Sequence, residues 1–146
     1  MKKNFIILFV IVLIPIKAFA LIEVDITRGN LNPLPLAVSP LSIDDKSKKS
    51  FEKILNQENI GSEISNIVEN NLRTSGLFNP LSKEAFLQAP DIANLKPRFE
   101  DWNLIKAQAL ITGKVNYIDD KLRVEFRLWD VLAAKEMMAL AFTTVP

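Results

Sequence analysis

The sequence of 146 residues contains no histidine and no cysteine, and these two absences exclude much of enzyme chemistry. Without histidine the chain lacks the commonest general base and the commonest metal-ligating side chain. Without cysteine it has no disulfide, no thiolate nucleophile and no thiolate ligand for structural zinc. Glycine is also scarce, and Gly29, Gly61, Gly76 and Gly113 are too far apart to form a phosphate-binding loop. We therefore expect no catalytic residues, no cofactor and no metal site.

Long apolar runs are scarce as well, and the one at the amino terminus has the layout of a secretory signal peptide. Two lysines precede an unbroken apolar run over residues 5–14, and Ala18-Phe19-Ala20 matches the small-residue pattern of a cleavage site. We predict that residues 1–20 are a signal peptide, with Ala18 and Ala20 as the residues recognised at cleavage. The sequence therefore predicts export to the periplasm.

A membrane anchor is the rival interpretation of this run. Pro15 and Lys17 interrupt it well before the roughly 20 apolar residues that a spanning helix needs. A lipoprotein is disfavoured, because acylation at the cleavage site needs a cysteine. We expect no stable membrane insertion after cleavage.

An excess of charge of either sign is also missing. The whole chain has 18 basic and 17 acidic residues; removing Lys2, Lys3 and Lys17 with the signal peptide leaves 15 basic and 17 acidic residues, a net charge of −2. A nearly neutral chain lacks the basic surface that binds nucleic acid and the polybasic patch that binds anionic membranes. We expect neither among its partners.

The remaining chain is long enough for one domain with its own core. An apolar stripe predicts a helix over residues 60–75, formed by Ile60, Ile64, Ile67, Val68 and Leu72 and stopped by Gly76. Strict alternation predicts a strand over residues 121–131, with flanking strands over 109–118 and 137–144. Shorter segments predict strands over 36–41 and 78–81, brief helices over 83–87 and 102–108, and a solvated loop over 42–50.

This order of elements predicts an α/β (mixed α+β) fold. We expect a single domain with a mixed sheet, helices packed on one face, and an antiparallel three-stranded meander at the end. Residues 33–146 form this domain, and residues 21–32 form an extended segment ahead of it. Because the last predicted strand has nothing after it to cover its edge, we expect the domain to be incomplete at its carboxyl end.

Three single residues and three adjacent acidic pairs carry further predictions. Trp102 is spaced from its apolar neighbours as a core residue, whereas Trp129 lies on the charged side of its strand and is predicted to make a contact with a partner. Gly113, inside a strand, indicates a bulge or a close backbone approach. The adjacent acidic pairs at 44–45, 100–101 and 119–120 are interpreted as turn residues rather than as a catalytic pair.

The first segment after the signal peptide is the candidate binding site. Residues 22–26 alternate apolar and acidic side chains, and Pro33 and Pro35 stiffen the chain behind them. Such a strand can add to the sheet edge of another chain, or it can be an ordinary edge strand of its own sheet. The site comprises Leu21, Ile22, Glu23, Val24, Asp25, Ile26, Thr27, Arg28 and Gly29.

Several segments in this order resemble the amino-terminal domain of the TolB family, periplasmic proteins of the Tol-Pal system. The likeness covers nearly all of residues 21–146. The most specific segments are Ser75-Gly76-Leu77-Phe78 and the run from Glu125 to Val131, Glu-Phe-Arg-Leu-Trp-Asp-Val. Weaker ones are residues 22–29, 33–38 and 107–113.

The resemblance implies a non-enzymatic adaptor that supports outer-membrane integrity and invagination during cell division. It implies that the segment matching Leu21–Gly29 binds the carboxyl-terminal domain of TolA or packs on the protein itself. In the family a six-bladed β-propeller follows and binds Pal. Because these 146 residues contain no propeller, we do not expect Pal binding.

Other functions stay open at this point. A freestanding exported structural module of envelope biogenesis would use the same fold with another partner, and a split-gene fragment would have no function. An exported hydrolase acting through scattered carboxylates such as Asp101 or Glu125 is the poorest of these hypotheses, because histidine, cysteine and glycine-rich loops are absent.

Overall fold

The computed structural model describes residues 32–55 and 59–145. The predicted signal peptide, its cleavage residues Ala18 and Ala20, and the segment Leu21–Gly29 all lie outside the described residues. Within the described ranges, a six-stranded mixed sheet is accompanied by four α-helices. The predicted fold class is confirmed.

The strands follow one another along the chain as β1 (Leu34–Val38), β2 (Ser42–Ile43), β3 (Phe78–Pro80), β4 (Ala109–Ile118), β5 (Lys121–Asp130) and β6 (Lys135–Thr144). The helices are α1 (Asp45–Leu55), α2 (Ile60–Thr74), α3 (Pro90–Leu95) and α4 (Phe99–Leu104), with one 3₁₀ turn over Lys83–Ala85.

The sheet has the order β3-β1-β4-β5-β6, and β2 pairs with β4 beyond the end of β1. β1 is parallel to both of its neighbours, β3 and β4. The last three strands are antiparallel and are joined by short turns, which is the predicted meander. At the first of these turns Asp119 and Asp120 have φ values of 50° and 58°, a left-handed conformation that aspartate tolerates.

The two long helices lie on one face of the sheet, which we call the helical face. Of the predicted stripe on α2, Ile64, Val68 and Leu72 pack with core residues of this face, and Ile60 is itself in the core, whereas Ile67 is 60% exposed. The helix ends as predicted, because Gly76 adopts a φ of +72°.

The prediction of a loop over residues 42–50 is wrong, because this stretch contains β2 and most of α1. Phe51 is fully buried on the helical face, and Ser47, one turn earlier, is fully buried beside the sheet. The Ser47 hydroxyl accepts a hydrogen bond of 2.8 Å from the backbone amide of Tyr117 on β4. A polar residue in the buried stripe hid the helical periodicity.

Asp44 immediately precedes α1, caps it and holds Ser47 in place. Its carboxylate accepts 2.8 Å and 3.0 Å hydrogen bonds from the amide and hydroxyl of Ser47. The first of these bonds uses a backbone amide donor that the first turn of a helix otherwise leaves free. The amide donation from Ser47 holds the pKa of Asp44 below its ordinary value.

The opposite face of the sheet carries a second packed cluster. There α4 and the 3₁₀ segment pack around Trp102, which is fully buried as predicted. The predicted helix over 102–108 is shifted, because the observed helix begins at Phe99 and Lys106 has a φ of 66° that ends it. Asp101 lies inside the helix and pairs with Arg98 at 2.7 Å.

We expect Asp44→Ala to lower the free energy of unfolding by about 1 kcal/mol, because it removes the cap of α1 and the acceptor that orients Ser47. Urea denaturation measures the change. Asp44→Asn keeps an accepting oxygen and is the matched control, so it should lose less. Equal losses in the two variants would contradict the capping role.

Candidate functional site

The structure shows where the predicted binding segment joins the domain. Asn32 and Pro33 lead directly into β1, which lies between β3 and β4 inside the sheet. The Leu34 amide donates to the Leu77 carbonyl at 2.9 Å. The segment ahead of Leu34 is therefore tied to an inner strand and not to an edge of the sheet.

Pro35 fits this inner strand because pairing to the two neighbours is staggered. β3 pairs with residues 34–36, whereas β4 pairs with residues 36–38. The carbonyl of Pro35 accepts a 2.9 Å hydrogen bond from the amide of Gln108. Proline lacks an amide donor, and it is tolerated where the ladder to β4 has not yet begun.

An apolar groove opens on the helical face beside α2. One cavity of about 240 Å³ is lined by Val68, Ile111, Phe126, Leu128, Met138 and Leu140, with Arg127 at its border. An adjoining cavity of about 250 Å³ lies towards the start of β1 and is lined by Leu34, Leu36, Leu72, Phe78, Ala109 and Met137, together with Ile111 and Leu128. The point where the binding segment joins the domain therefore borders this groove.

A β-bulge in β6 places one additional side chain in the lining of the groove. Leu128 pairs with Met138, but Trp129 pairs with Glu136, so Met137 is an extra residue in β6. Neighbouring residues in a regular strand point to opposite faces, yet Met137 and Met138 both line the groove. Sequence reasoning missed this site, and its one visible signal was the spacing of Met138, Leu140 and Phe142.

Every residue of β6 is exposed, and the strand is the last in the sheet order. Met138, Leu140 and Phe142 are about half exposed on the helical face, because α2 covers the sheet only as far as β5. Phe126 on β5 packs against Phe142 edge to face at a centroid distance of 6.4 Å. Among the described residues no element packs over this strand, and the incompleteness of the domain at its carboxyl end stays a prediction.

The predicted contact role of Trp129 is wrong. This residue does lie on the charged side of β5, but it is only 9% exposed and belongs to the cluster around Trp102. Its indole Nε1 donates to the Thr112 hydroxyl at 2.9 Å, and Phe99 packs on its ring. The charged side of the strand is covered here by α4.

Further along the same face, the charged side chains pair with one another. Glu125 accepts a 2.9 Å hydrogen bond from Arg123 and lies 3.5 Å from the ammonium of Lys114. The hydrogen bond from Arg123 has the largest effect on the pKa of Glu125 and lowers it, and the nearby charge of Lys114 lowers it further. Burial acts in the opposite direction, but the pKa stays below its ordinary value. Arg127 pairs with Glu136 of β6 at 3.3 Å.

The acidic residues do not converge on a common centre. Asp44 caps α1, Asp101 pairs with Arg98, and Asp120 accepts a 3.3 Å hydrogen bond from the Tyr117 hydroxyl. Within residues 32–55 and 59–145, no three side chains of acidic type could hold a metal ion together. None of the helices that the structure describes has the length and hydropathy to cross a membrane.

The close approach predicted for Gly113 is confirmed. A Cβ atom at this position would lie 2.2 Å from the carbonyl oxygen of Glu125 on β5. The same holds for Gly61 on α2, where a Cβ would lie 2.2 Å from the carbonyl oxygen of Leu41. At both glycines two backbone segments lie closer together than any side chain would allow.

Comparison with known proteins gives a consistent result. The model of the TolB amino-terminal domain family matches residues 22–137. The chain is 83% identical over 140 residues to a Tol-Pal system protein TolB from Pelagibacter ubique (strain HTCC1062). The match covers 96% of this chain but only 31% of that relative, so the chain spans about a third of its length.

Solved structures share the fold. TolB from Acinetobacter baumannii superposes with a TM-score of 0.54 at 21% identity, over 78% of this chain and 23% of that protein. The carboxyl-terminal domain of LpoB from Escherichia coli superposes with a TM-score of 0.55 at 12% identity, over 82% and 87% of the two chains. At these identities the likeness concerns the fold alone.

Thr112→Val should lower the free energy of unfolding by roughly 2 kcal/mol, because it leaves the buried indole donor of Trp129 without an acceptor. Thermal or urea denaturation reports the loss. Thr112→Ser retains the hydroxyl and is the control. The assignment fails if valine is tolerated as well as serine.

Glu125→Gln should cost about 0.5 kcal/mol at neutral pH, because it removes the charge that Arg123 and Lys114 stabilise. Glu125 has a lowered pKa in the folded chain, so its stabilising effect is present above its ordinary value of 4.5 and is lost as pH falls below it. The stabilities of the two proteins should therefore converge in acid. Unfolding measured between pH 3 and pH 7 tests this, with Glu84→Gln on the exposed 3₁₀ turn as control.

Proposed function

The chain belongs to the TolB amino-terminal domain family, and from this membership we propose that it is a non-enzymatic periplasmic adaptor of the Tol-Pal system. In this proposal residues 1–20 direct export and are cleaved after Ala20. Residues 21–32 carry the binding segment, and residues 33–146 are the domain that holds it. The adaptor contributes to outer-membrane integrity and to envelope invagination at division.

The observation that carries this proposal is the extent of the family match. It begins at Ile22, the second residue after the predicted signal peptide, so it includes all but the first residue of Leu21–Gly29. A match to the folded domain alone would have left the candidate segment unsupported. The alternation of Ile22, Val24 and Ile26 with Glu23 and Asp25 suits an added strand, whose backbone bonds give affinity and whose alternate side chains give specificity.

The described part of the molecule supports the same arrangement. Pro33 and Pro35 restrict the chain at the start of β1, and pairing on both sides fixes that strand. A stiff attachment lowers the conformational entropy that a bound segment would lose. We propose TolA, through its carboxyl-terminal domain, as the partner of Leu21–Gly29.

Pal is not part of the proposal. The chain spans 31% of the length of the Pelagibacter relative, and the resemblance assigns Pal to the propeller. A hydrolase is also not proposed. Asp101 and Glu125 lie on different elements, and each of the two is already paired with a basic side chain.

We expect deletion of Leu21–Gly29 to abolish binding of the TolA carboxyl-terminal domain while leaving the free energy of unfolding unchanged, since the segment precedes the described core. Isothermal titration calorimetry measures the affinity. A variant carrying a glycine–serine segment of equal length separates loss of the sequence from loss of length. Lys121→Ala, at the first residue of β5 and at the end of β4 away from β1, is the neutral control. Unchanged affinity in the deletion variant would refute the proposal.

A further inference from the structure

A long connection joins β3 to α4, and few bonds hold it to the rest of the domain. We call residues Ser82–Pro97 the strap; it contains the 3₁₀ turn and α3. Among the backbone hydrogen bonds that the described residues make, those of the strap are all local, such as the bond from Phe86 to Lys83. The last backbone bond to another element comes just before the strap, from Leu81 to Leu36 on β1.

Two polar side chains tie the strap to its surroundings. At its start the ammonium of Lys83 donates to the Ser65 hydroxyl of α2, on the helical face, at 2.9 Å. In its middle Gln88 contacts the opposite face, where its Oε1 accepts a 2.8 Å hydrogen bond from the indole Nε1 of Trp102 and a 3.2 Å bond from the backbone amide of Arg98. Among the described side chains of the strap, Gln88 alone forms hydrogen bonds on that face.

The side-chain amide of Gln88 is satisfied on one side only. The side chain is 5% exposed, and its Nε2 has no hydrogen-bond partner within the part of the chain that the structure describes. A buried donor without a partner costs free energy, whereas the same donor is hydrated once it reaches water. The closed position of the strap is therefore penalised relative to an open one.

The apolar packing under the strap is also limited. Phe86 lies edge to face on Trp102 at a centroid distance of 5.0 Å, but it is only partly buried. Leu87 and Ile92 are 58% and 45% exposed. Segments with few buried apolar contacts and only local backbone bonds are those that open before the whole domain unfolds.

We propose that the strap opens as a unit while the sheet stays folded, and that the bond between Gln88 and Trp102 holds it closed. Opening brings the amide of Gln88 to water and uncovers the indole of Trp102, which is 1% exposed in the closed domain. The sheet stays intact because the strap contributes no strand to it. The domain thus has a second state with an accessible aromatic surface on its opposite face. This inference is independent of binding to TolA, so either can fail alone.

The two tryptophans provide a matched pair of probes for this motion. Both indole donors are buried and bonded at nearly equal lengths, Trp102 to Gln88 of the strap at 2.8 Å and Trp129 to Thr112 of β4 at 2.9 Å. Opening of the strap breaks the first bond only, because Trp129 and Thr112 lie on neighbouring strands of the sheet. Exchange of the two indole protons with solvent therefore distinguishes opening of the strap from unfolding of the sheet.

Hydrogen–deuterium exchange at the two indole groups tests the opening, measured by NMR on the full chain expressed with export and purified from the periplasm. We expect the Trp102 proton to exchange roughly tenfold faster than the Trp129 proton, or more, because local opening costs less free energy than global unfolding. Its rate should also rise less steeply with urea, because opening of the strap exposes less surface.

Variants in the sheet and in the strap separate the two motions. Val124→Ala weakens the core of the helical face, which stays folded when the strap opens, so it should speed exchange at Trp129 and leave exchange at Trp102 unchanged. Gln88→Met removes the acceptor of the indole and should speed exchange at Trp102 by roughly tenfold. Leu87→Ala, at the exposed neighbouring position, is the control and should not alter exchange at Trp102.

Three results would overturn the proposal. One is exchange at Trp102 that is no faster than exchange at Trp129 in the unmodified chain, a comparison that needs no variant to fold. Another is acceleration of both indole protons by the same factor in Val124→Ala, since the strap would then open only together with the sheet. The third is a Gln88→Met chain whose Trp102 proton exchanges no faster than that of Leu87→Ala.

Discussion

The rest of the structure depends on β4 being paired along its whole length. β1 and β2 share one side of this strand, and β5 pairs with all ten residues on the other. The side chains of β4 hold together both faces of the domain, with Ala109 and Val115 under the long helices and Leu110 in the cluster around Trp102. The strand tolerates no side chain at Gly113, where β5 comes too close. The start of β1 on one side and the groove beside β6 on the other are therefore both positioned by β4.

The two sides of β4 leave the sheet unequally covered. Towards β1, α2 lies on the helical face and buries Leu36 and Val38 completely. Towards β6 no described helix continues the layer, so the apolar residues of β5 and β6 line an open groove. A sheet face buries its apolar side only against another layer, so among the described residues this half of the face stays apolar and exposed.

The elements that the sequence predicted well are those whose periodicity is complete within the element. α2 carries an uninterrupted apolar stripe, and β5 alternates over its whole length. α1 was missed because its stripe contains Ser47, whose burial depends on a hydrogen bond to Tyr117, 70 residues away. Trp129 was placed on the correct face but given the wrong exposure, because alternation along β5 cannot tell that α4 covers one end of that face. The groove could not be predicted for the same reason: it depends on how far α2 reaches across the sheet. Leu21–Gly29, by contrast, is a prediction from sequence that rests on the family match.

The attachment of that segment to an inner strand has a mechanical consequence. A force applied to the chain ahead of Asn32 along the direction of β1 would load that strand. The resistance comes from pairs with β3 and β4 on both sides, including the bonds of Leu34 to Leu77 and of Gln108 to Pro35. Under such a load these bonds share the force in shear, whereas an edge strand pulled away from its sheet loses its bonds one after another. A segment emerging from β3 or β6 would detach by opening a single ladder. Emergence from β1 instead directs the load into β4, which is paired with β5 along its whole length.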